Sequence, residues 1–133
     1  MSRIQLLYGV ARNVAHKFSV SSNHFAYMAY MHRIQSIRID LLTGIITPEV
    51  FHIERNNNLI KMCMENFHTM LSGIKVPAEM VKEAYLYIYF EIPSETINGN
   101  TYDQILCKFE VNIIHANGRQ FRGVVRENVI MQS

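Results

Sequence analysis

Between Ile105 and Glu127 two alternating runs of apolar and polar residues flank Asn117-Gly118, and no other stretch of the chain restricts the fold as tightly. Asn-Gly between alternating runs marks a β-hairpin, because glycine enters the positive-φ conformations of tight turns without a Cβ penalty. The pattern also fixes the register. A two-residue loop pairs Ala116 with Arg119 and sets Ile113 opposite Arg122 and Phe109 opposite Arg126, laying an apolar face on a charged one. A three-residue loop of Ala116, Asn117 and Gly118, with Gly118 left-handed in a G1 bulge, pairs Ile113 with Phe121, Val111 with Gly123 and Phe109 with Val125. That register gives one core face and leaves Lys108, Glu110, Asn112, Arg122 and Arg126 on the other.

The 133 residues suit one domain, residues 1–133, with enough chain to bury a substantial core. Hydrophobic residues at 49% and charged residues at 18% exclude a disordered tail, and no apolar run reaches the length of a membrane span. Met1 to Tyr8 lack the apolar core of a secretory signal, so a cytoplasmic location is expected. A formal net charge of +2 is too near balance to imply a polyanion partner by itself. Cys63 and Cys107 sit among apolar neighbours without a Cys-x-x-Cys spacing, and we expect buried free thiols.

Ile4, Leu7, Tyr8, Ala11, Val14, Ala15 and Phe18 form one helical stripe, with Ser2 as its N-cap. Ser19 to Asn23 reads as a break. Residues 24–34 fit either helix or strand, and the spacing of Phe25, Met28, Ala29 and His32 favours a helix. Ile37, Ile39 and Leu41 alternate with Ser36, Arg38 and Asp40, and Thr43-Gly44 turns the chain into Ile45 to Thr47 before Pro48 stops the strand. Leu59, Ile60, Cys63, Phe67, Met70, Leu71 and Ile74 then mark a helix, with Asn56 to Asn58 as its cap and Gly73 as its stop. Pro77 opens a short turn of helix. From Ala84 to Ile92, Leu86, Ile88 and Phe90 face one way and Tyr85, Tyr87, Tyr89 and Glu91 the other. Residues 93–103 read as a long exposed loop or hairpin tip. The fold class is α+β: an antiparallel sheet of about 3–5 strands with two or three helices packed on one face.

Such a sheet leaves its second face open, and that face gathers Tyr85, Tyr87, Tyr89, Lys108, Asn112, Arg122 and Arg126. Tyrosine and arginine are enriched in the cores of protein interfaces, so we expect a small non-enzymatic interaction module acting through this face or a sheet edge. A homodimer or another protein is the favoured partner. Rings beside cations also suit a single-stranded nucleic acid, the alternative reading, although Glu91 and Glu110 share the face and no RNP-like motif is present. A third reading is a small-molecule enzyme with a pocket between sheet and helices. No catalytic residue is assigned, since the motifs of hydrolases, P-loop proteins and dinucleotide binders are missing from the sequence. Met62, Cys63, Met64 and His68 are soft donors, but Met62 and Met64 flank the stripe that Cys63 shares with Phe67, which points to core packing. The six histidines show no metal-ligand spacing, and we expect neither metal nor cofactor.

Overall fold

A computed structural model describes residues 2–48, 54–91 and 104–130. Its helices are α1 (Leu7–Ser21), α2 (Asn23–Met31) and α3 (Glu54–Gly73), with a 3-10 turn at Ala78–Met80. Its strands are β1 (Ser36–Asp40), β2 (Ile46–Thr47), β3 (Val81–Glu91), β4 (Gln104–His115) and β5 (Gln120–Ile130). They form one antiparallel sheet in the order β2-β1-β3-β4-β5, so the fold is α+β. The expected loop at 93–103 lies outside the described residues.

Ser2 and Gln5 make a reciprocal capping box before α1: the Gln5 amide donates to Ser2 Oγ at 3.4 Å and the Ser2 nitrogen to Gln5 Oε1 at 3.1 Å. Ser19 and Ser22 then end the helix by turning their hydroxyls back onto the carbonyls of His16 and Ser19. The Ser22 carbonyl in turn accepts from the Ala26 amide, and the segment from Asn23 is helical rather than extended. Helix α3 begins four residues before Asn58, which places Asn56 to Asn58 inside it and not at its cap. It ends at Gly73 as expected, but the residue that closes it lies two positions further on. Lys75, not Gly73, takes the left-handed conformation (φ 58°), while the Val76 amide donates to the Leu71 carbonyl and that of Lys75 to Ser72. This is a Schellman closure with lysine in the place usually held by glycine. Arg33 (φ 55°) holds the corresponding place after α2, where Ile34 N–H reaches the Ala29 carbonyl.

The C-terminal hairpin has the three-residue loop and the register that the alternation requires. Ile113 pairs with Phe121, Val111 with Gly123 and Phe109 with Val125, and Gly118 has φ 87°. In the first hairpin Asp40 Oδ1 accepts from the amides of Leu42 and Thr43, and Gly44 completes the turn at φ 79°. Strand β3 starts at Val81, earlier than the alternation from Ala84 indicates, because a bulge at Lys82 shifts the register between Val81 and Glu83. Beyond it Ala84, Leu86, Ile88 and Phe90 face inward on β3, and Cys107, Phe109, Val111 and Ile113 on β4.

The helices cover that inner face. Helix α1 lies on β4 and β5 and also packs against α3, burying Leu7, Val10, Ala11, Val14, Ala15 and Phe18. The Phe18 ring meets Phe25 edge-on at 5.6 Å and Phe109 at 6.1 Å, and Phe67 of α3 is fully buried in the same cluster. Strand β5 accepts α1 this closely only because residue 123 is glycine. A Cβ built there lies 2.6 Å from the carbonyl carbon of Ala11 and 2.7 Å from Arg12 Cα, with Arg12 N closer still. The helices are thereby held against one side of the sheet, and the opposite side carries the candidate site.

Candidate functional site

Strand alternation and register arrange the outer face in rows. Ser36, Tyr89, Lys108 and Arg126 form one; Arg38, Tyr87, Glu110 and Val124 the next; Asp40, Tyr85, Asn112 and Arg122 the third. Glu83 and Glu91 continue the tyrosine column of β3 at its two ends, beside Ile114 and Leu106 of β4. All seven residues expected on this face, Tyr85, Tyr87, Tyr89, Lys108, Asn112, Arg122 and Arg126, occupy it.

Residues two apart on a strand share a face, so the three tyrosines form a ladder. The Tyr87 and Tyr89 rings stack with centroids 6.2 Å apart and planes inclined by 11°, and Tyr85 tilts against Tyr87 at 6.0 Å. Cations sit over both ends: Lys108 Nζ lies 4.9 Å from the Tyr89 centroid, and the Arg38 guanidinium 4.9 Å from that of Tyr85. All three tyrosines and Leu106, Ile114 and Val124 are half-buried. Aromatic and aliphatic surface thus runs through the middle of the face.

Glu110 organises the charge. It is only 6% exposed, and its carboxylate accepts from Arg122 Nε and lies against the same guanidinium's Nη2 through Oε1, while Asn112 Nδ2 donates to Oε2 at 3.3 Å. Lys108 Nζ stands 3.9 Å away. The carboxylate is therefore held by an arginine and an amide, the condition under which burying a charge is tolerable. Burial, and then the negative charge of Glu110, push the Tyr89 phenol above its usual range. Among the described residues in register on the face, Arg38, Lys108, Arg122 and Arg126 are matched one for one by Asp40, Glu83, Glu91 and Glu110, with Lys82 exposed at the bulge beside Glu83.

No protein-family model, curated protein or solved structure matches the chain.

Arg38 is one of the members of the face that sequence reading missed, with Ser36 and Asp40 of the same strand. Its alternation with Ile37 and Ile39 was legible, but β1 reaches β3 only across the intervening β2 and α3, a pairing with no local signal. Elsewhere the polar candidates take structural roles. His115 is 7% exposed and its Nδ1 accepts the Asn117 amide, which braces the hairpin loop. Cys63 and Cys107 are free and buried, and burial pushes both thiols up to about 12. Among the described residues no three His, Cys, Asp or Glu side chains converge as a metal site. A depression of 510 Å³ at the end of α3 includes His68, Lys75 and Glu79 in its wall, yet these three make no hydrogen bond or ion pair with one another.

Proposed function

We propose that this protein is a small interaction module that binds a protein partner through the tyrosine face of its sheet. The observation that carries the reading is the combination of a half-buried aromatic ladder with charges that, among the described residues in register, balance across the face. Apolar surface of this kind, ringed by polar groups, marks association sites, and tyrosine and arginine are the residues such sites favour. A polyanion would meet Arg122 already committed to Glu110, with Glu83 and Glu91 at the ends of the ladder. The nucleic-acid reading keeps one observation in its favour, the pairing of Lys108 with Arg126 beside Tyr89.

Hydroxyl-radical footprinting tests the proposal. In a nuclease-treated lysate of the cells that make the protein, Tyr85, Tyr87 and Tyr89 should be markedly less reactive than in the purified chain at nanomolar concentration. Equal reactivity in the two samples refutes the protein-partner reading, and protection abolished by nuclease transfers the face to the nucleic-acid reading.

A further inference from the structure

We infer that the partner on this face is a second copy of the chain, docked sheet to sheet about a two-fold axis that runs along the strands between β3 and β4. This deepens the protein-partner reading and rests on it. The supporting observation is that, among the described residues in register, the charges balance over the face but not over its halves. On the β4–β5 half Lys108, Arg122 and Arg126 outnumber Glu110, giving a formal charge of +2. On the β1–β3 half Asp40, Glu83 and Glu91 outnumber Arg38, giving −2 over the residues in register and −1 with the exposed Lys82 of the bulge included.

A homodimer places the same patch on both partners, so the patch must complement itself. Of the two in-plane axes related to the strands, one satisfies this. An axis along the strands lays the positive half of each copy over the negative half of the other, with Asp40 level with Arg122 of the second copy. An axis across the strands lays like charge on like charge, an arrangement strongly disfavoured at interfaces. The selected arrangement brings the two tyrosine ladders into the centre, and aligned sheets pack about 10 Å apart with a twist near 30°. Size is compatible too: three strands of roughly 37 Å and a β1 of roughly 17 Å, at about 4.8 Å spacing, give a projected footprint of roughly 600 Å², increased by side-chain relief. A stable interface takes about 800 Å² from each partner.

Sedimentation equilibrium of the purified chain and two charge variants tests the inference. Glu83→Lys/Glu91→Lys makes both halves positive. Lys108→Gln/Arg126→Glu makes both negative and leaves the Arg122–Glu110 pair in place. The native chain should be a dimer at micromolar concentration, and each variant alone should dissociate about a hundredfold more readily at low salt, while a one-to-one mixture should recover the dimer. Circular dichroism establishes that each variant is folded, and the single exposed changes Glu91→Lys and Arg126→Glu carry the same expectation where a double variant does not fold. A native monomer at a hundred-micromolar order of concentration, variants that associate like the native chain, or a mixture that stays monomeric each overturn it. A monomer whose tyrosines are nonetheless protected in the lysate sinks the self-docking alone. A monomer without that protection sinks the protein-partner reading as well.

Discussion

Gly123 and Gly9 should respond in opposite directions to the same substitution. In Gly123→Ala the new Cβ meets the backbone of α1 at Ala11 and Arg12, at 2.6 and 2.7 Å from the carbonyl carbon of Ala11 and Arg12 Cα, where ordinary contact begins near 3.4 Å. Backbone cannot rotate away as a side chain can, so helix and strand must part by about 1 Å along the contact, a void on the scale that close-packed interiors register. The helix face carrying Val10, Ala11, Val14 and Phe18 then loses part of its seating on β4 and β5. Overpacking a core costs about 1–3 kcal/mol, and with backbone on both sides of this contact we expect about 3. At Gly9, on the exposed side of the same helix, a Cβ meets nothing within 4 Å. Gly9→Ala should therefore stabilise by about 1 kcal/mol, the helix-propensity difference between the two residues. Urea titration at 25 °C measures both, and the midpoints should move in opposite senses from the native value without a change of slope. A Gly123→Ala variant within about 0.5 kcal/mol of the native protein would refute the close-approach argument, since that is the range of an indifferent surface change.

At Gly118, where a Cβ is sterically free but φ is 87°, Gly118→Val should cost about 1–3 kcal/mol in the same titration through backbone strain alone. Lys75→Gly should stabilise by up to about 1 kcal/mol by removing the left-handed penalty at the end of α3, and a destabilised variant would refute the Schellman assignment. Because the buried thiols of Cys63 and Cys107 titrate near 12 when folded and near 9 when exposed, the unfolded chain loses protons first as pH rises. Stability should fall between pH 9 and 12, with the two thiols contributing about 3 kcal/mol per pH unit, and Cys63→Ala/Cys107→Ala should flatten that slope. If the tyrosines stack bases, oligonucleotide affinity should fall steeply with salt and Arg126→Ala should flatten the logarithmic slope by about 0.7. We expect weak binding at physiological salt instead, and submicromolar affinity with the altered slope would exchange the leading reading for its alternative.

The C-terminal hairpin was legible because both of its determinants are local. Turn chemistry at Asn117-Gly118 and the two-residue alternation on either side admit one register that puts Phe109, Val111, Ile113 and Phe121 on the same face. The same periodicities placed α1 and α3, the first hairpin and all seven residues on the outer face, since a side chain's direction along a strand follows from its parity, and only favoured a helix over residues 24–34. Helix ends were less legible. Lysine and arginine carry no left-handed preference, so the closures at Lys75 and Arg33 leave no mark in the sequence.

What tertiary structure alone decided lies between elements distant in the chain. Strand β1 joins β3 with a helix between them in sequence, which brings Arg38 to the tyrosine ladder. Gly123 shows in sequence only as a gap in an apolar alternation; that the gap admits the backbone of α1 depends on how the helix crosses the sheet. Glu110 reads as one more polar residue on an outward position; the hairpin register sets it beside Lys108, Asn112 and Arg122, but Tyr87 comes alongside it only when the distant β3 pairs with β4. Periodicity fixes the direction a side chain takes from its own backbone, whereas contact and charge environment depend on which distant backbone is brought beside it, and that is set by the joint packing of the whole core.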